Sequence, residues 1–309
     1  MEKKTWEQQT IEKLLLQTYK EQRRARLHKI FWRLVIIACI IFAYFTYFDN
    51  DKIKTNKEKQ IAVINFQDEI NRDNNSYDNF ATSLDNALTD INTKAIIIRA
   101  NSPGGSPVYS DMINQEIYRQ KLAHPKTPII FAIEEVCASG CYYAAVAADK
   151  IYAQPASIVG SIGVISPQFG VDKLMDKLGV ENRLLTAGKY KAMGYPFSAQ
   201  NPDVTKIQQQ MLNDIQQQFI QAVKKGRPHL SNNPDLFTGR YWIGSQAESL
   251  GLIDGYATVD SIARDQFGST NLVDFTIGKD TLSVISKKLG VDMANSAKNA
   301  VISSMPQLN

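Results

Sequence analysis

The longest apolar run without a charge is LVIIACIIFAYFTYF, from Leu34 to Phe48. With Ile30, Phe31 and Trp32 it reaches nineteen residues, interrupted only by Arg33. A helix needs about 20 apolar residues to cross the hydrocarbon core of a bilayer. Arg33 lies near one end, where its long stem lets the charge reach the interface. Trp32 at one end and Tyr44 and Tyr47 at the other suit the two interfacial belts. Arg23, Arg24, Arg26, Lys29 and Arg33 precede the run, and Asp49 and Asp51 follow it. The positive-inside rule then leaves the N-terminus in the cytoplasm and the body of the chain outside. The expected organisation is a cytoplasmic tail over 1–29, a single-pass anchor over 30–48, a polar linker over 49–59, a main domain over 60–280, and a C-terminal tail over 281–309. A cleaved signal peptide fits less well, because the charged region before the run is long and no small-x-small site follows it. A buried core helix does not account for the flanking basic cluster.

Beyond residue 60 the pattern changes to short β-branched runs alternating with helical stripes. IAVINF (61–66), KAIIIRA (94–100) and PIIFAIE (128–134) read as strands. In YDNFATSLDNALTD, Phe80, Leu84 and Leu88 form a helical stripe. SDMINQEIYRQKLA (110–123) reads as a helix with Ser110 as its N-cap. KIYAQPASIVGSIGVI gives two extended pieces around a Gly-rich corner, GVDKLMDKLGV (170–180) a short helix, VENRLLTAG the next strand, and residues 202–225 a long helix. Alternating strands and helices imply βαβ units, an α/β fold and a mainly parallel sheet. Functional loops then belong at the carboxyl ends of strands. Residues 101–106, 137–141 and 186–191 fall at such places.

Charge adds to this picture only once it is divided along the chain. The whole sequence carries a net +4, yet residues 1–33 hold nine of the 35 Lys/Arg and only four of the 31 Asp/Glu. The rest is close to neutral, so no global electrostatic footprint for nucleic acid is present. Of the three cysteines, Cys39 lies in the apolar run. Cys137 and Cys141, read as one turn apart on a helix, have poor disulfide geometry and are expected to be two small, semi-buried residues. No metal or organic cofactor is implied.

Three loops carry candidate chemistry. In NSPGGSP, Gly104 and Gly105 free the backbone to aim amides at a ligand, although a plain turn needs the same residues. Ser139, in CASGC, lies where a strand gives way to a helix of small residues; it reads as a nucleophile or as an ordinary helix cap. Nothing in the sequence supports a histidine as its base. His28 is on the other side of the anchor, His124 and His229 are in loop-like contexts, and the GxSxG pattern is missing. A lysine can act as the base if desolvation leaves it neutral near pH 7. TAGKYKAMGYP offers Lys189 and Lys191, although a lysine pair of this kind more often marks a solvated surface.

Taken in order, NSPGG, ASG-x-YY-x-A-x-AADKIYA, GSIGV and G-x-x-K resemble the signal peptide peptidase A family of bacterial membrane serine proteases. GR at 226–227 and FTGRYWIGSQAESLGLID at 237–254 continue the resemblance, which runs from about residue 60 to 265. It implies a Clp-protease/crotonase-like α/β fold, preceded by one transmembrane helix, and a Ser-Lys dyad. By motif, the nucleophile is Ser139 and the general base Lys191, the third residue after Gly188, with Lys189 a bystander. Ser161 matches a serine that hydrogen-bonds the lysine. The oxyanion donors are an amide of Gly104 or Gly105 together with that of Gly140. The chain departs from the family at position 141, where a small residue, usually glycine, is replaced by Cys141. That cysteine is expected to narrow the specificity pocket or to sensitise activity to oxidants. The resemblance also implies peptide substrates, such as cleaved signal peptides, a bacterial inner-membrane location, and a homo-oligomeric ring whose serine and lysine come from neighbouring subunits. Related Ser-Lys proteases of the SohB-like or stomatin-partner type remain alternatives, as does, more remotely, a crotonase-like acyl-thioester enzyme. The amphipathic stretch in 281–309 is open: it could pack on a neighbour, occupy the site or lie on the membrane.

Overall fold

The computed structural model describes residues 23–24, 26–41, 58–74 and 76–278. Most of the expected cytoplasmic tail, residues 42–48 of the expected anchor, nearly all of the linker and the C-terminal tail lie outside the described residues. The chain divides into two units at Lys57/Glu58. In the first, residues 26–41 form helix α1, on which Ile30, Phe31, Trp32, Leu34, Ile36, Ile37, Ile40 and Ile41 are all exposed. Among the described residues, no helix is long and apolar enough to cross a membrane.

The second unit is built on an eight-stranded sheet: β1 (Gln60–Gln67), β2 (Thr93–Ser102), β3 (Ile129–Ala138), β4 (Lys150–Ala153), β5 (Ile158–Gly160), β6 (Tyr241–Ile243), β7 (Gly255–Tyr256) and β8 (Leu272–Asp274). The order is β6-β5-β3-β2-β1-β8, with β4 on the same edge of β3 as β5 and β7 beyond β4. Every pairing is parallel except β5 with β6. Parallel strands are covered on both faces and therefore read as continuous apolar runs. Alternate residues supply the two faces. Ile96 and Ile98 of β2, with Phe131 of β3, join the larger core beneath α2 (Ser76–Thr89), α3 (Pro107–Ala123), α4 (Gly140–Ala145) and α6 (Pro202–Gly226). Ala95, Ile97 and Ile130 face α8 (Val259–Phe267) through Val259, Ile262 and Ala263. Each buried isoleucine contributes about 2 kcal/mol of transfer free energy.

Two sequence expectations need correction. Ser110 is not the cap of α3. The helix starts at Pro107, whose fixed φ and missing N–H suit a first turn, and Ser106 caps it by accepting from the Tyr109 amide. Ser110 is instead fully buried inside the helix, its hydroxyl donating to the Ser106 carbonyl at 2.7 Å. The second correction concerns VENRLLTAG, which forms no strand. Among the described residues its apolar side chains have no neighbouring strand and no core to join: Leu185 is 95% exposed. Residues 165–200 instead form an arm around the short helix α5 (Asp172–Leu178), which has no buried residue. The chain then returns through α6, the turn Pro234–Phe237, β6 and α7 (Gly244–Ser249).

Candidate active site

β3 ends at Ala138 and α4 starts at Gly140, so Ser139 alone makes the junction. It turns the chain with φ 51° and ψ −122°. A left-handed φ at a residue with a Cβ costs about 1–3 kcal/mol and persists only where the surroundings fix it. Here the Ser139 amide donates to the Gly160 carbonyl at 2.8 Å, extending the β3–β5 ladder, and the Ser139 carbonyl accepts from the Tyr143 amide at 3.0 Å. Although Ser139 holds the N-cap position of α4, its hydroxyl makes no capping bond. The helix-cap reading therefore fails, and the oxygen stays uncommitted on a strained strand-to-helix turn, the placement that exposes a nucleophile.

The glycine pair packs against this turn. A Cβ on Gly104 would lie 2.6 Å from the Gly140 nitrogen and 2.8 Å from Ser139 Cβ, so only glycine lets the backbones approach this closely. Ile70 clamps the loop from the far side: its amide donates to Gly104 O at 2.7 Å and its carbonyl accepts from Ser106 N at 2.8 Å. The three candidate amides are not equivalent. Gly104 N donates to the Ser102 hydroxyl at 3.2 Å. Among the described residues, neither Gly105 N nor Gly140 N donates to a protein acceptor.

Ser139, Gly105 and Gly140 open on a cavity of about 20 Å³, completed by Pro107, Tyr143, Gly163, Val164, Ile215 and Phe219. That volume is about one water's worth of free space. The walls are apolar: Tyr143 stacks on Phe219 with centroids 4.8 Å apart. The Tyr143 hydroxyl donates to Asp111 at 3.0 Å. Burial, then the charge of Asp111 and this bond, push its phenol upward, so it stays neutral and is no proton acceptor near pH 7. Among the described residues, no histidine, carboxylate or lysine lines this cavity.

Lys191 is not among the described residues that line the Ser139 cavity. It is exposed on the arm, in a turn whose Lys191 N–Gly188 O bond is 3.1 Å long and whose Gly188 has φ 102°. Lys189 lies over the Tyr190 ring, 5.0 Å from its centroid. Ser161 does lie beside the junction: its neighbour Gly160 accepts from the Ser139 amide. Ser161 also has a positive φ, 53°, and its hydroxyl donates to Gly239 O at 3.3 Å rather than to a lysine.

The cysteines contradict the sequence expectation. Cys137 and Cys141 form a disulfide. They do not share a helix; Cys137 is on β3 and Cys141 on α4. The reversal at Ser139 brings their Cα atoms to 5.1 Å, inside the usual disulfide range. Both are fully buried and neither lines the cavity, so Cys141 is neither a pocket-narrowing residue nor a free thiol open to oxidants. The signal missed in the sequence was a C-x-S-x-C pattern straddling a strand–helix boundary.

The pattern of Peptidase family S49 matches residues 121–295, more than half of the chain. The chain is 42% identical over 186 residues to the Na(+)/H(+) antiporter NhaA of Brucella abortus, covering 60% of this chain and 25% of that protein. It is 35% identical over 164 residues to the chloroplastic serine protease SPPA of Arabidopsis thaliana, covering 52% and 24%. With protease 4 of Haemophilus influenzae the identity is 30% over 249 residues, covering 76% and 40%. The chain thus spans between about a quarter and two fifths of the length of these relatives.

Proposed function

Because the chain belongs to peptidase family S49, we propose that it is a serine endopeptidase in which Ser139 is the nucleophile and Lys191 the general base. One observation carries this reading: Ser139 is held in a strained junction with its hydroxyl uncommitted, beside two amides that have no acceptor among the described residues. The Lys191 amine takes the Ser139 proton as Oγ attacks the scissile carbonyl. The amides of Gly105 and Gly140 hold the oxyanion. Gly104 is the poorer donor because Ser102 already engages its amide. The lysine then protonates the leaving amine, and water releases the acyl group. In this scheme the Ser161 hydroxyl turns from Gly239 toward the lysine and orients it.

Among the described residues no base lines the cavity at Ser139, and in this reading the lysine comes from a second copy of the chain. The arm supports this. It exposes Ile165, Phe169, Leu178, Leu184 and Leu185 in addition to Lys191, and a patch of that kind marks an interaction surface. Docked on a neighbour, it would deliver Lys191 to the neighbour's Ser139 cavity. The proposed assembly is a homo-oligomeric ring anchored in the bacterial inner membrane through residues 30–48, with the catalytic body outside. The apolar side chains exposed on α1 suit lipid contact. Its substrates are cleaved signal peptides or other membrane-associated peptides, which suit the apolar walls contributed by Val164, Ile215 and Phe219.

The test is cleavage of a hydrophobic peptide by the detergent-purified full chain. Ser139→Ala and Lys191→Ala should each abolish cleavage, and Lys189→Ala should retain it. Unchanged cleavage in either of the first two rejects the dyad.

A further inference from the structure

The peptidase scheme leaves one feature at the junction unused. Cys137 and Cys141 lie two residues before and two after Ser139, and their disulfide closes the turn into a ring with the serine at its apex. We propose that this disulfide is a positioning device for the nucleophile, so that the enzyme works in its disulfide form and loses turnover on reduction. The proposal rests on Ser139 being the nucleophile.

Both ends of the ring are anchored. Cys137 pairs with Ser102 of β2 on one side and Val159 of β5 on the other. Cys141 is in the first turn of α4, packed in the main core. Between them, Ser139 holds φ 51° against its intrinsic preference, and each of its backbone polar groups makes one bond. A short covalent ring removes the extended conformations through which such a turn would relax. It fixes the serine and the adjacent Gly140 amide together, and both must face the same carbonyl. The sulfurs cannot act directly, since both cysteines are fully buried and absent from the cavity wall. They are positioning residues, not catalytic ones. The expected location of the body outside the cytoplasm is also where such a bond persists.

Reduction needs an external dithiol. Two electrons and two protons pass from it to the pair, the Sγ–Sγ bond breaks, Cys137 and Cys141 become thiols, and the reagent leaves as its own disulfide. The freed turn then spends part of its time with Ser139 outside the reactive geometry. The expected effect is about a tenfold fall in kcat, equivalent to about 1.4 kcal/mol, with KM unchanged because the substrate walls are untouched.

The experiment uses the full chain in detergent, with dithiothreitol as reductant and maleimide labelling under denaturing conditions to count thiols. One thiol, Cys39, should label before reduction and three after it. kcat should fall about tenfold with KM constant, and reoxidation should restore it. Cys137→Ala/Cys141→Ala should show the same lowered kcat and no response to dithiothreitol. Three labelled thiols before reduction would overturn the proposal outright. So would an unchanged kcat in protein whose pair is demonstrably reduced, or a drop in melting temperature without any drop in kcat. Should the double variant fail to fold, the reduced and reoxidised wild type still decide the matter. A separate control covers the peptidase reading: if Ser139→Ala cleaves normally, that reading fails, whatever the thiol count.

Discussion

Gly140→Ala offers a quantitative test of the junction. A methyl at this position runs into the hydroxyl of Ser110, approaches Gly105 N to 3.2 Å and Ser110 Cβ to 3.4 Å. Ser110 is fully buried and its hydroxyl donates to Ser106 O at 2.7 Å. Relief therefore means either overpacking or turning a buried hydroxyl away from its acceptor, and either costs about 1–3 kcal/mol. We expect about 2 kcal/mol, or roughly 4–8 °C in melting temperature for a domain of this size. Adding Ser110→Ala removes the clashing oxygen. Ser106 O keeps a partner, because it also accepts from Ser110 N at 3.0 Å. Gly140→Ala/Ser110→Ala should then be about as stable as Ser110→Ala alone, with a coupling of about 1–2 kcal/mol in the double-mutant cycle. Activity should not follow stability. The methyl still crowds the space between the Gly105 and Gly140 amides, and loss of an oxyanion donor costs about 10²–10³ in kcat. The cycle is measured by denaturant unfolding and peptide cleavage on the same four proteins. Additive stabilities, or cleavage restored together with stability, would refute this picture of the turn.

Two further outcomes follow from named groups. Ser139→Gly should abolish cleavage yet stabilise the fold by about 1 kcal/mol, because glycine accepts the left-handed φ without strain; a lower melting temperature would contradict the strain. The Asp254 carboxyl is pushed up by burial, but the bonds from Arg227 at 2.7 Å and the Ile151 amide at 2.8 Å outweigh this and hold it below the ordinary aspartate value. A depressed value in the fold stabilises at pH above the unfolded value, near 4, and that stability is lost as pH falls through the folded value. Asp254→Asn should lower stability near pH 7 by about 2 kcal/mol and flatten the acid limb of a stability–pH curve; an unchanged acid limb would refute the assignment.

The parts of the chain that were legible in advance are those where local pattern and tertiary role agree. β2 and β3 are buried on both faces, so their apolar runs identified them as parallel strands. The Ser139 junction was visible as small residues between a strand and a helix. Elsewhere, partners distant in sequence decide the outcome. VENRLLTAG has the composition of a strand, but no strand neighbours it. Which glycine amide is available depends on the Ser102 hydroxyl turning back onto Gly104 N, a geometry that the loop's composition does not specify. The disulfide depends on a reversal at Ser139 that a helical reading of C-x-x-x-C does not contain. Lys191 sits on an arm whose short helix buries no residue, so nothing in its local sequence shows where it packs.

The central claim is that Ser139 of one copy works with Lys191 of another. Purified Ser139→Ala and Lys191→Ala, each inactive alone, are mixed under conditions that exchange subunits, and peptide cleavage is followed. Mixed rings contain junctions where an intact Ser139 meets an intact Lys191 from the neighbour, so cleavage should return to roughly a quarter of the wild-type rate at equal mixing, by random pairing of statistically independent neighbours. No cleavage, in samples where cross-linking shows that mixed oligomers have formed, would contradict the account.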